Sequence, residues 1–261
     1  MGGPFTDGSD ISSIPEDVLR KQFAGVEGPF HRAAILFENE ALIALDKPEK
    51  LASIPERNPR KPSLLQLLKE RSDRRVYVVH RLDKEVSGVI LFAKTPEAHR
   101  HLCLLFEQRR VRKTYAALVH GGVEGPRGTI ELPLRRFGSG RMGVDEAAGK
   151  PCRTDYEVRG RIAGFTELEV YPHTGRKHQI RAHLFSLGHP VAGDRLYGKR
   201  AEQAAFPRLM LHARKIEFET PDGDWLLIES PLPPSFTETL RRLRREGAAT
   251  DPAQEPSPPG R

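Results

Sequence analysis

Residues 80–88, HRLDKEVSG, place an imidazole, a guanidinium, a carboxylate and an ammonium between two apolar runs, VYVV and VILFA. A carboxylate at the end of a buried strand can serve as a nucleophile or general base if a cation holds it charged. Without such a partner its burial is costly. Asp83 therefore calls for a cation from elsewhere in the chain, and Arg181 in HQIRAH is the best candidate. On a helix over 176–187, Ile180, Leu184 and Leu187 form the packing stripe and Arg181 lies at its border, able to turn its guanidinium inward.

Other patterns promise chemistry that their surroundings do not support. GSGRMG, 138–143, has the glycine spacing of a phosphate-binding loop. It leads into VDEAAGKP rather than a helix, so it reads as a hairpin turn. HRLD transposes the kinase sequence HRD-L, and no DFG follows anywhere. His173, His178, His183 and His189 are spaced five or six apart, which does not give the i, i+4 face of a helical zinc site. No metal is expected.

The elements that must position these groups follow from apolar periodicity and stop signals. From residue 33 two strands meet at Glu38-Asn39-Glu40, and helices are predicted over 62–71, 96–110 and 176–187, the last stopping at Gly188. Thr95-Pro96 is a helix start, with Thr as N-cap and Pro in the first turn. Strands are predicted over VYVVH, GVILFAK, 113–121, 165–172, 209–219 and 225–228, with short ribbon strands over 129–159. Trp225 is expected in the core, and a basic helix over 235–246. Residues 1–30 read as an irregular arm with one short helix at 15–24. One ordered domain follows over 31–247, and 248–261 reads as a disordered Pro-rich tail. Strands and helices together put the chain in the α+β class.

Composition bounds the partners. The chain has 261 residues, 38% hydrophobic and 30% charged, with a net charge of +7, so a globular, polyanion-binding protein is favoured over a disordered one. The longest apolar runs are strand-sized, below the roughly 20 residues of a membrane-crossing helix. Two cysteines, Cys103 and Cys152, build no disulfide framework, and the cytoplasm is the expected compartment. No feature argues for an oligomer, so a monomer is expected.

Three blocks in order, ENEALIALDKP, VVHRLDKEVSGVILFAKT and YPHTGRKHQIRAHLFSLGHPVAGDRLYG, with VRKTYAALVHG between the last two, resemble the RluA-type pseudouridine synthases in the form without an S4 domain. The resemblance implies an α+β catalytic fold over 31–247, with a central mixed but mainly antiparallel sheet, flanking helices and a catalytic cleft, and it implies site-specific isomerisation of uridine to pseudouridine in structured RNA, a ribosomal or transfer RNA stem-loop, without cofactor or metal. It implies Asp83, Tyr115 and Arg181 as catalytic residues. It implies Arg81, His80, Lys47, Arg176, Lys177, His178 and Ile180 as the residues that hold RNA and the flipped nucleotide. Two positions depart from the family pattern: Val86 stands where Thr is usual, and Glu49-Lys50 where a small residue and Gly are usual. A non-catalytic RNA-binding or ribosome-assembly module on the same fold is the rival; it explains the charge but not Asp83, Tyr115 and Arg181 together.

Overall fold

The structure, a computed structural model, describes residues 33–58, 61–71 and 75–249. The expected arm with its 15–24 helix falls outside these residues, as does the expected tail beyond 249. Ten strands form one sheet in the order β1 (Ala34–Glu38), β2 (Leu42–Lys47), β4 (Ser87–Ala93), β11 (Leu211–Glu219), β5 (Arg112–His120), β10 (Phe165–Pro172), β9 (Thr154–Ile162) and β6 (Arg127–Ile130). β3 (Tyr77–Val78) adds to β4 and β12 (Trp225–Glu229) to β11, while β7 (Leu134–Arg136) and β8 (Met142–Val144) make a separate hairpin. That hairpin turns through the GSGRMG stretch, with Phe137 N–H donating to the Arg141 carbonyl at 2.9 Å. Every pairing in the large sheet is antiparallel except β4 with β11. The sheet is therefore mixed and mainly antiparallel, and the class is α+β as expected.

Five helices complete the described chain: α1 (Leu64–Arg71), α2 (Pro96–Glu107), α3 (Gln179–Ser186), α4 (Arg200–Ala204) and α5 (Pro234–Ala249). The unbroken run VILFA follows from burial on both faces of β4. Ile90 and Phe92 join a core with α1 and α5, whereas Val89, Leu91 and Ala93 pack with Ala98, Leu102 and Leu105 of α2. α2 starts where its signals place it, for Thr95 Oγ1 accepts the Ala98 N–H at 3.2 Å.

The motif's closing Ser-Gly stands at the parallel seam. Gly88 has φ +114°, and a Cβ there would lie 2.1 Å from the Ala213 carbonyl oxygen. Only glycine lets the two backbones approach that closely. Ser87 is tied across the same seam, its hydroxyl 2.7 Å from His212 Nδ1 and 2.6 Å from Arg208 Nη2.

Three expectations are corrected. Trp225 is 54% exposed, because β12 is the outer strand at that end of the sheet; the Arg112 guanidinium lies over its ring at 4.4 Å. α3 begins at Gln179 rather than 176, since His178 before it is left-handed (φ 52°), and Leu187 is exposed instead of joining Ile180 and Leu184 in the core. The strand VYVVH shrinks to two residues, because residues 79–86 leave the sheet to form the loop that carries Asp83.

Candidate active site

Asp83 sits in a turn closed by the Val86 N–H, which donates to the Asp83 carbonyl at 3.1 Å. The turn is held from two sides. Ser53 Oγ donates to the Leu82 carbonyl (2.8 Å) and accepts its N–H (3.1 Å). Lys47, fully buried, donates to the carbonyls of Pro48 (2.8 Å), Leu51 (2.8 Å) and Lys84 (3.2 Å). Burial pushes its ammonium down to about 7. Lys47 is thus a loop anchor, and the expectation that it contacts RNA is corrected: all three of its protons are committed to backbone carbonyls.

His80 is likewise committed inward. Its Nε2 accepts the Leu91 N–H at 3.0 Å, its ring stacks on Phe106 at 4.9 Å, and burial pushes it down to about 3, so it stays neutral. It lines the cleft as a ring edge, with no charge for a phosphate. Val86 is buried among core side chains, where a methyl suits the surroundings better than a hydroxyl. Lys50 takes φ +65°, the left-handed conformation that Gly would adopt freely, and Glu49 pairs with Arg208 at 2.8 Å.

Arg181 reaches Asp83 as expected, with Nη1 to Oδ2 at 3.3 Å, but its tighter partner is Asp194. Nε donates to Asp194 Oδ2 at 2.6 Å and Nη2 to Oδ1 at 2.8 Å, a bidentate pair in which the Asp194 side chain is 0% exposed. Burial opposes the charge on Arg181, yet the Asp194 contacts and then Asp83 hold the guanidinium above its ordinary range. Asp194 is absent from the sequence-derived set; it lies in a glycine turn, AGDRLYG, with no periodicity to reveal that it faces α3. His178 Nε2 stands 3.8 Å from Asp83 Oδ2, and its Nδ1 is 3.1 Å from the Tyr197 hydroxyl. Burial pushes His178 down to about 4, although Asp83 pulls the other way.

Asp83 lies where two clefts meet. The first, about 550 Å³, is walled by Val86, Phe106, Tyr115, Ile180 and Leu211. Tyr115 projects from β5 into it; burial, and then the charge of Asp83, raise its phenol above the ordinary range and keep it neutral. Lys113, two residues earlier on the same strand face, was also not foreseen. Burial pushes it down to about 8, and it donates to the Thr174 carbonyl at 3.2 Å. Arg176 is at the rim. The HTGRK loop owes its shape to Gln179, whose Oε1 accepts from the Thr174 hydroxyl (2.5 Å) and the Arg176 N–H (3.1 Å).

The second cleft, about 1,060 Å³, is lined by Arg57, Arg81, Arg136, Lys177 and Arg195 among others. None of these five side chains makes a hydrogen bond or ion pair among the described residues. Arg81 and Asp83 border both clefts. Among the described residues, no group of three or more His, Cys, Asp or Glu is arranged to hold a metal ion. His173 pairs with Asp155, His183 with Thr154 and the Leu132 carbonyl, and His189 with the His120 carbonyl. The arrangement offers one oriented carboxylate beside an apolar slot for a flat ring, and a wide cationic groove for an anionic chain.

The sequence profile of the RNA pseudouridylate synthase family matches residues 41–186. The chain is 39% identical to a ribosomal large subunit pseudouridine synthase D of Nitrosomonas europaea, over 80% of this chain and 65% of that protein. It is 37% identical to the dual-specificity RNA pseudouridine synthase RluA of Escherichia coli (strain K12), over 76% of this chain and 92% of that one. In backbone it matches human RNA pseudouridylate synthase domain containing 1, with a TM-score of 0.68 at 27% identity over 84% of this chain and 97% of that one.

Proposed function

The chain belongs to the RNA pseudouridylate synthase family, and from that premise we propose that it isomerises uridine to pseudouridine in a ribosomal or transfer RNA stem-loop with Asp83 as its catalyst. One observation carries the reading: the carboxylate of Asp83, held by Arg181 at 3.3 Å, stands at the junction of an apolar slot and a cationic groove. A uracil stacked inside RNA is out of reach, so the nucleotide must be flipped out at a cost of a few kcal/mol. The apolar slot takes the base. The groove takes phosphates of the flanking chain, and Arg81, exposed and reaching both, fills the space the base vacates.

Net isomerisation breaks the N1–C1′ bond, forms C5–C1′, moves the C5 proton off carbon and returns a proton to N1. Asp83 drives the first step, either by attacking C1′ or by removing the C2′ proton. Tyr115, a neutral phenol, packs on the ring and relays the C5 proton rather than storing it. Ile180 flanks the ring, and Arg176, Lys177 and His178 frame the opening. All of these groups come from one chain, in keeping with a monomer, and the RNA substrate is in keeping with a cytoplasmic location. A non-catalytic RNA-binding module would use the groove but leave Asp83 and its buried cation without a purpose.

The test is to map pseudouridines in total RNA from cells with and without the gene, and to treat unmodified RNA with the purified protein. Sites that vanish on deletion and return with the protein are expected. A purified protein that converts no uridine in any of these RNAs would overturn the reading.

A further inference from the structure

His173 stands at the mouth of the apolar slot, where the proposed mechanism leaves it without a task. Its N–H donates to the Arg153 carbonyl at 3.0 Å, and its ring Nε2 lies 2.6 Å from Asp155 Oδ2. Register brings the two together: Asp155 pairs with Tyr171 across β9 and β10, and His173, two residues on, emerges on the same face. Asp155 is already served without the imidazole. Its Oδ1 accepts from Thr129 Oγ1 at 2.8 Å and from Arg153 Nε at 3.0 Å, and its Oδ2 accepts from Arg153 Nη2 at 3.2 Å. Burial pushes the Asp155 carboxyl up, but the hydrogen bonds of Arg153, His173 and Thr129 outweigh it and hold the group down to about 2. The carboxylate is therefore an acceptor only, and the proton of the neutral imidazole belongs on Nε2. Nδ1 keeps its lone pair, and among the described residues it has no partner.

The same rim carries the exposed Arg109 and Arg176 against one exposed carboxylate, Glu107; with His173 these border the slot and not the groove. At about 550 Å³ the slot has the volume of a site for a drug-sized molecule, so backbone fits beside the base. We infer that His173 recognises a ribose 2′-hydroxyl: its Nδ1 accepts that group's hydrogen bond from a nucleotide adjoining the target, while Arg109 and Arg176 take the phosphates beside it. The inference rests on the function proposed above. Phosphate oxygens only accept and have nothing to offer a lone pair. The 2′-hydroxyl is the donor that an RNA backbone carries and a DNA backbone lacks. Asp155 acts through the ring, by fixing Nδ1 as the nitrogen that accepts.

The experiment measures affinity for oligouridylate and for oligodeoxyuridylate of the same length, which differ only in the 2′-hydroxyl, alongside thermal unfolding. His173 is 46% exposed, so its replacement tests a contact and not the core. His173→Phe keeps a flat ring for stacking and removes the acceptor. It should lower the preference for oligouridylate over oligodeoxyuridylate about fivefold, the worth of one hydrogen bond. Asp155→Asn should lower it about threefold, because an amide can donate to Nε2 and reverse the tautomer, and combined with His173→Phe the losses should not add. In the RNA that pseudouridine mapping identifies, a single 2′-deoxy substitution beside the target uridine should cost the wild type about fivefold in affinity and His173→Phe nothing. An unchanged preference in His173→Phe would overturn the inference. A wild-type protein that releases no tritium from C5-tritiated uridine in ribosomal and transfer RNA transcripts would instead contradict the functional reading, with the preference for ribose measured separately.

Discussion

Arg181→Met removes the one cation shared by two carboxylates while keeping most of the side-chain volume. Asp194, 0% exposed, is left with two backbone N–H donors in place of a bidentate guanidinium; Asp83, 19% exposed, regains water on its open side. Removing one member of a buried ion pair costs about 3–5 kcal/mol, and most of that belongs to Asp194 because it cannot rehydrate. Replacing both members restores part of it. In Arg181→Met/Asp194→Leu no charge is stranded, but the N–H groups of Leu196 and Tyr197 lose their acceptor, at about 1 kcal/mol each. The double variant should therefore sit about 2 kcal/mol below wild type, and the single about 4 kcal/mol below it. Equilibrium urea unfolding at pH 7 reads both. A single variant within about 1 kcal/mol of wild type, or a double less stable than the single, would refute the claim that Asp194 depends on this cation.

Gly88→Ala should cost more than about 3 kcal/mol in the same assay, since the new methyl would meet the Ala213 carbonyl at a left-handed backbone; a loss under about 1 kcal/mol would contradict the seam geometry. Burial pushes His80, His178 and His212 down to about 3, 4 and 4. Below about pH 6.5 the unfolded chain takes up protons that the native state refuses, so stability falls as pH drops from 6.5 toward 4, by up to about 1.4 kcal/mol per pH unit for each histidine. Urea midpoints that stay flat from pH 7 to 5 would disprove this. Trp225→Ser should cost under about 1 kcal/mol, the scale of one exposed cation–π contact, against the 3–5 kcal/mol of a core aromatic.

What the chain revealed beforehand and what it concealed divide along physical lines. The pairing of Asp83 with Arg181 follows from a general rule, that a buried carboxylate needs a cation, and the helical pattern of HQIRAHL narrows the choice. Both-face burial of VILFA and the Thr95 cap are local patterns and were equally readable. Lys47 was assigned to RNA through the ENEALIALDKP block of the family resemblance, which does not show where its ammonium points. Its acceptors are backbone carbonyls of three segments, and backbone atoms carry no sequence signature. Asp194 was hidden for a related reason: its aim is set by a glycine turn, whose direction no periodicity encodes. Trp225 shows the reverse error, since large apolar area predicts burial only where a second layer exists to cover the strand. The family resemblance supplied the reaction; charge and composition alone reached no further than a polyanion.

The central claim is that the Asp83 carboxylate performs the chemistry while the cationic groove binds RNA independently of it. Asp83→Asn keeps the side-chain shape and removes the negative charge. Single-turnover tritium release and RNA affinity, measured on the same preparation, should show no detectable pseudouridine formation with binding within about threefold of wild type. Conversion at an undiminished rate would contradict the account.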